Sequence, residues 1–181
     1  MVWPIARTAA ACSPSDRCSV FFWFIGTAIV TVGFVFRDPN FDNRLLIVGS
    51  VLPGFDVVFG GSRAFHSITV SIGLLAIIMI ATKRGSRSRR TLLGLPIGMF
   101  LHLVFDAAWN DTETFWWPFT GVAFSDEGIP IADRGLISVV LELIGIGVCA
   151  WLWRVNGLGG RVRRRRFLDD GRLVTVPDRF G

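Results

Sequence analysis

The side chains of His102 and Asp106 are the first candidates for chemistry in this sequence, because both types bind metal ions and they lie four residues apart. Residues at this spacing share one face of an α-helix. Both can be ligands of zinc or a related ion, or the carboxylate can orient a histidine whose other ring nitrogen binds the metal. A hydrogen-bonded pair that ties two helices together fits the same spacing.

Three further ionisable residues, Asp56, His66 and Glu142, lie in or beside apolar segments. When such segments cross a membrane, ionisable residues usually face the bundle interior or a wet cavity. Pro53 and Gly54 break the helix directly before Asp56, which frees backbone carbonyls and gives the carboxylate room to approach an ion. A plain kink is the alternative interpretation of this pair.

We expect these side chains to converge in one pocket. Glu142 lies six residues into its segment, which is about 9 Å deep at about 1.5 Å per residue and similar to the depth of His102. Glu142 is either an additional ligand, a proton relay or a structural hydrogen-bond partner, and His66 alone would fit a helix cap. The sequence predicts a site for a divalent metal, zinc or manganese, with the ligands Asp56, His66, His102 and Asp106.

Five apolar segments must position these residues. Of the 181 residues, 51% are hydrophobic and only 18% are charged, and the mean hydropathy is +0.53, so a water-facing surface would lack charge. A membrane-crossing helix needs about 17 to 25 apolar residues. We predict an all-α, polytopic transmembrane helix bundle over residues 20–153, with spans at 20–36, 45–59, 67–82, 92–109 and 136–153. The second segment is short and contains Pro53, so four spans plus one broken or short helix is the alternative.

The distribution of basic residues predicts the orientation of the bundle. Under the five-span model, 15 Lys and Arg residues lie on the side of the 83–90 loop and the C-terminus, and four lie on the other side. The positive-inside rule then places the C-terminus in the cytoplasm of a multi-pass protein of the inner or plasma membrane. If the second segment does not cross, the count is unchanged, so the side of the N-terminal segment, residues 1–19, stays open.

The segment after the last span, residues 154–181, is predicted to be a basic cytoplasmic tail. A pI near 10.4 and an arginine run would fit a nucleic-acid patch, but the position of the run beside a membrane span favours anionic lipid headgroups. We expect membrane lipids as partners and no nucleic acid. Residues 168–181 are expected to be largely unstructured. The predicted headgroup contacts are Arg161, Arg163, Arg164, Arg165 and Arg166.

Four short motifs in the stretch 45–120 carry a family resemblance. They are Leu52-Pro53-Gly54-Phe55-Asp56, Phe65-His66-Ser67, His102 to Asp106, and Trp117-Pro118. In order and spacing they resemble the YdjM-like family of LexA-binding, inner-membrane-associated, metal-dependent hydrolases. The resemblance implies a helical membrane enzyme that binds metal through Asp56, His66, His102 and Asp106.

The chain departs from that family pattern at several ligand positions. Gly54 and Val57 stand where the pattern has an aspartate and a histidine, and Phe65 stands where it has a threonine. The remaining residues suffice for one metal ion but not for a two-metal centre. One hypothesis is therefore a single-metal hydrolase of an ester or phosphoester near the extracytoplasmic face. The other is a non-catalytic membrane protein whose polar cluster is structural and whose basic tail binds anionic lipid or a partner.

Overall fold

A computed structural model describes residues 20–38, 41–59, 64–110, 112–121 and 136–173. Within these ranges the protein is all-α and contains no strand, which agrees with the predicted class. Three short 3-10 segments, Leu52–Phe59, Ala64–His66 and Ala108–Asn110, connect the helices. The α-helices are α1 Phe21–Phe36, α2 Asn43–Val51, α3 Ile68–Ala81, α4 Arg87–Asp106, α5 Thr112–Phe115, α6 Leu136–Val155 and α7 Arg161–Asp170.

The helices α1, α3 and α6 follow the predicted apolar segments to within two residues. The helix α4 differs from the predicted span 92–109, because it begins at Arg87 and ends at Asp106, where Ala107 adopts a left-handed conformation. The second predicted segment contains a break. The segment 45–59 is an α-helix only to Val51 and continues as the 3-10 segment Leu52–Phe59. Pro53 lies at the change, because proline has no backbone N–H to donate within a helix. In the part of the chain that the structure describes, only α6 is both long and apolar enough to cross a membrane. The helices α1 and α3 are apolar but shorter, and α4 begins with several arginines.

The centre of the molecule is the parallel pair α2 and α4, which approach closely through glycines. A Cβ atom at Gly98 would lie 2.7 Å from the backbone nitrogen of Ser50, and one at Gly94 would lie 2.9 Å from that of Leu46. A Cβ at Gly49 would collide with the carbonyl of Leu95. Small residues in register on two helices permit this backbone contact. The close contact fixes the position of α4 relative to α2, and hence of His102.

Two other helix pairs complete the bundle. The helix α3 runs antiparallel to α4, and the Ser71 hydroxyl donates to the carbonyl of Pro96 at 3.0 Å. The helix α6 packs on α1 in parallel, with Gly145 against the backbone of Trp23 and Val148 beside Gly26. The helix α1 also packs on α2 and α4.

The bundle has two chemically different ends. The site end holds His66, His102 and Asp106, and the basic end holds the start of α2, the start of α4 and the helix α7. At the basic end Asp42 caps α2 by accepting from the backbone of Arg44 at 3.1 Å, and it also accepts from the Thr91 hydroxyl at 3.1 Å. The N-terminal segment 1–19 and residues 174–181 lie outside the described residues.

The expectation of an unstructured tail is wrong for residues 168–173. The helix α7 continues to Asp170, and Gly171 ends it with a positive φ of 69°. The carbonyl of Gly171 accepts from the backbone and side-chain nitrogens of Asn43, at 2.8 and 3.1 Å, and Leu173 is buried in the core. This part of the tail is ordered because it satisfies buried polar groups of α2, a long-range effect that composition does not report.

Candidate metal centre

The candidate site is built by the end of α4 and the turn before α3. His102 and Asp106 lie in the last turns of α4, one turn apart, as their spacing predicts. His66 ends the 3-10 turn Ala64–His66, and Ser67 follows it as the N-cap of α3, accepting from the backbone of Thr69 at 3.1 Å. Because α3 and α4 are antiparallel, the start of one helix lies beside the end of the other, and His66 meets the pair on α4.

The three side chains form one compact, buried group. His66 is 2% exposed, His102 3% and Asp106 0%. One ligand atom from each lies within 4.8 Å of the ligand atoms of the other two. The Nε2 atom of His66 is 3.7 Å from Oδ2 of Asp106, and the two imidazole rings are nearly perpendicular with centroids 5.5 Å apart.

The ring of His102 is fixed from two sides. Its Nδ1 lies 2.7 Å from the carbonyl oxygen of Ser50, and the ring of Phe24 stacks on it with centroids 3.8 Å apart. A carbonyl oxygen only accepts hydrogen bonds, so Nδ1 is the donor and the lone pair of the neutral ring is on Nε2. Histidines that bind metals commonly hold their second ring nitrogen in this way.

The segment after α5 is tied to the same region through Ser67. The Ser67 hydroxyl lies 2.6 Å from the carbonyl oxygen of Trp117 and 3.3 Å from that of Phe115. Since Ser67 is the neighbour of His66 in the chain, this bond holds the aromatic segment beside the site. The segment from 122 to 135 lies outside the described residues.

The residues present fit one divalent ion. Zinc bonds of about 2.1 Å in a tetrahedral site bring ligand atoms to about 3.4 Å from one another. The His66–Asp106 distance of 3.7 Å and the limit of 4.8 Å for the group are within a small side-chain adjustment of that spacing. Two imidazoles and one carboxylate are also a donor set that zinc and manganese accept. The group His66, His102 and Asp106 can therefore hold a metal ion.

Two other predicted site residues have different outcomes. The side chain of Asp56 lies outside the described residues, so the fourth predicted ligand stays a prediction. Glu142 is not a member of the three-residue group, and its carboxylate accepts from the backbone nitrogens of Phe22 at 3.0 Å and Trp23 at 3.3 Å. The sequence leaves three roles open for Glu142, and this contact fits the structural one, because the carboxylate caps the start of α1.

Sequence reasoning did not identify Ser50 and Phe24 as parts of the site. Ser50 acts through its backbone carbonyl, which every residue has, so its type carries no signal. Its position beside Gly49 in an apolar segment does indicate a close helix contact. Phe24 is one of many aromatics in α1, and only the packing of α1 on α4 selects it.

No protein-family model, curated protein or solved structure matches this chain. The resemblance to the YdjM-like family therefore remains a prediction from short motifs.

Proposed function

We propose that the protein is an integral membrane protein whose five apolar helical segments lie in the bilayer. The support is an arrangement opposite to that of a water-soluble bundle. Large apolar side chains point outward, as in Phe34 at 65% and Ile80 at 87% exposure, while Ser50, Ser71 and Ser138 are buried. Small and polar residues at helix contacts and apolar residues outside are typical of membrane bundles.

Within that bundle we propose a single-metal hydrolase acting on an ester or phosphoester. The observation that carries the proposal is the buried group His66, His102 and Asp106, with ligand atoms within 4.8 Å of one another. A bound divalent ion would supply Lewis acidity and a water of lowered pKa. The proposed location is the extracytoplasmic side of the cell membrane.

The protein's own residues would hold and orient this group. Ser50 fixes the tautomer of His102 so that Nε2 presents its lone pair, and Phe24 excludes water from one face of the ring. Asp106 lies close enough to His66 for the carboxylate and the imidazole to share one cation. Asp56 is the proposed fourth ligand, on the sequence argument alone.

The first test is the metal content of the protein purified in mild detergent. We expect close to one zinc or manganese ion per chain, and we expect the variants His66→Ala and His102→Ala to lose it. The matched control is Glu142→Gln, an ionisable residue at similar depth that contacts α1 instead of the group, which should keep the metal. Absence of metal, or metal content unchanged in both histidine variants, would contradict the proposal.

The second test is hydrolysis of a chromogenic phosphoester and a chromogenic carboxylic ester by the metal-loaded protein. Activity on either compound should disappear in His102→Ala and persist in Glu142→Gln. If the metal-loaded protein hydrolyses neither compound, catalysis on these two ester classes is contradicted. The proposal of a metal centre is unaffected by that result.

A non-catalytic role is the second candidate, and the burial of the site favours it. No member of the group is more than 3% exposed, so a substrate cannot reach it without movement of neighbouring segments. In this alternative the group joins α3 to α4, either directly or through a metal. It predicts that His102→Ala lowers the unfolding temperature while no hydrolysis occurs in the wild type.

A further inference from the structure

The helix α7 presents a dense arginine surface, which we call the arginine face. Five of the first six residues of α7 are arginines, and all five side chains are exposed. Arg163 reaches back to the carbonyl of Asn156 at 3.4 Å, over the turn that follows α6. The arginine face consists of Arg161, Arg163, Arg164, Arg165 and Arg166.

The carboxyl end of α7 is anchored to the bundle, so the orientation of the arginine face is fixed. Arg44 donates from Nη1 to the carbonyls of Leu168 and Asp169, at 2.8 and 3.0 Å. These carbonyls end a helix and would otherwise need another donor. Asn43 donates to Gly171, and Arg87 pairs with Asp170 at 3.4 Å. The arginines are therefore displayed on a docked helix.

The charges of α7 run opposite to those that its dipole favours. A helix has partial positive charge at its amino end, where anions stabilise it and cations do not. The helix α7 has arginines in its first turns, no acid there, and Asp169 and Asp170 in its last turn. Arg44 and Arg87 offset the acidic end within the protein. The first turn of α7, which carries the arginines, contains no acidic residue. An external anion bound there would offset the positive charge of this turn.

The position of the arginine face selects the kind of anion. The helix α7 follows α6, the described helix that is long and apolar enough to cross a membrane. Trp151 and Trp153 are exposed in the last turns of α6, and tryptophan is enriched where a bilayer meets water. Val162 and Leu168 expose apolar side chains on α7 itself. These features put the arginines at the level of lipid headgroups.

We propose that the arginine face binds the phosphates of anionic phospholipids in the leaflet at the basic end. The proposal rests on the membrane placement under Proposed function and is independent of the metal centre. Guanidinium groups bind phosphate oxygens in pairs of parallel hydrogen bonds, which suits a phospholipid headgroup. A docked α7 also loses less freedom on binding than a flexible tail would.

The test is lipid retention by the detergent-purified full chain, measured by native mass spectrometry with equimolar phosphatidylglycerol and phosphatidylcholine. The wild type should prefer phosphatidylglycerol. Replacing Arg161, Arg164, Arg165 and Arg166 by glutamine should reduce that preference at least tenfold, since each basic residue at an anionic surface contributes about fivefold. Replacing the same four residues by lysine should retain most of the preference.

A charge-matched control separates the arginine face from net charge. Replacing Lys83, Arg84, Arg89 and Arg90 by glutamine removes four charges at the same end and should change the preference less than the α7 variant does. Equal losses in the two glutamine variants would overturn the proposal, as would a wild type without preference. Displacement of phosphatidylglycerol by a short DNA duplex at physiological salt would overturn it in favour of nucleic acid. Metal content should be unchanged throughout, so failure here is distinct from failure of the metal centre.

Discussion

At the scale of single residues, His102 is positioned by one backbone carbonyl and one aromatic ring. The carbonyl of Ser50 sets its tautomer and the ring of Phe24 covers one of its faces. A metal ligand held in this way needs little reorganisation to bind an ion. Groups that orient ligands typically change metal affinity by about 10- to 100-fold when they are removed.

We expect Phe24→Ala to weaken zinc binding about tenfold or more, since the ring of His102 would lose its stacking partner and gain freedom. The measurement is competitive titration with a metal chelator in detergent. The matched control is Phe34→Ala, which removes an exposed phenylalanine from the same helix and should leave affinity unchanged. Equal affinity of the Phe24 variant and the wild type would show that stacking does not position the ligand.

The second prediction at this scale concerns Asp42 and the pH dependence of the protein's stability. Burial alone would raise the pKa of Asp42, but hydrogen bonds from Arg44 and Thr91 outweigh it and lower the pKa below 3.8. A carboxyl group with a lowered folded-state pKa stabilises the protein above its unfolded-state value, and this stabilisation is lost as the pH falls through the folded-state pKa.

The wild type should therefore lose thermal stability as the pH drops below about 4, and Asp42→Asn should lose less over the same interval. Asparagine still caps the helix but cannot titrate. Thermal unfolding followed by circular dichroism from pH 6 to pH 3 measures both. Parallel curves for the two proteins would exclude a contribution from Asp42.

The sequence predicts the pair His102 and Asp106 correctly, because helix geometry relates residues four apart. The spacing of His102 and Asp106 fixes both their depth and their direction, because they lie on one helix. For Glu142 only depth could be estimated, and depth does not give the rotation of α6 about its axis. The structure shows Glu142 at the start of α1, although its depth is similar to that of His102.

At the scale of helices, the contact between α2 and α4 depends on glycines, which have no side chain to keep the two backbones apart. Gly98 faces the backbone of Ser50, so an added methyl group would push the two helices apart and shift His102. We expect Gly98→Ala to destabilise the bundle by about 1 to 3 kcal/mol, the usual cost of overpacking. It should also reduce metal content.

Gly147→Ala is the control for that experiment. A methyl group at Gly147 meets no atom within 4 Å, and alanine is favoured over glycine in a helix by about 1 kcal/mol. This variant should be as stable as the wild type or slightly more stable. If the two alanine variants have the same unfolding temperature in detergent, close packing of α2 on α4 is not what stabilises the bundle.

Helix positions were easier to predict than helix partners. Long apolar runs locate α1, α3 and α6 to within a few residues, and Pro53 predicts the break after α2. The docking of α7 could not be predicted, because it depends on Arg44 and Asn43 meeting backbone carbonyls some 125 residues later in the chain. Backbone acceptors have no sequence signature.

At the scale of the whole molecule, charge is divided between the two ends. Under the five-span model the side of the basic end carries 15 basic and 5 acidic residues, and the other side carries 4 basic and 9 acidic residues. The net charge of +5 therefore combines a strongly basic side with an acidic one. This asymmetry is the basis of the predicted orientation of the bundle, because basic residues are enriched on the cytoplasmic side of membrane proteins.

Single cysteines introduced into a cysteine-free background test that orientation. A reporter at Ser125 should react with an impermeant thiol reagent in intact cells, because the 110–135 loop is predicted to be extracytoplasmic. A reporter at Ser88, an exposed residue near the start of α4, should react only after the cells are opened. The reverse pattern would invert the topology, and reaction of both in intact cells would argue against a crossing between them.

The bond between Asn43 and Gly171 joins residues 128 positions apart. Proteins are synthesised from the amino terminus, so the start of α2 leaves the ribosome long before its partner exists. Until Gly171 has been translated, the side chain and backbone nitrogens of Asn43 lack this acceptor. A product that stops short of Gly171 would lack this closure of the bundle.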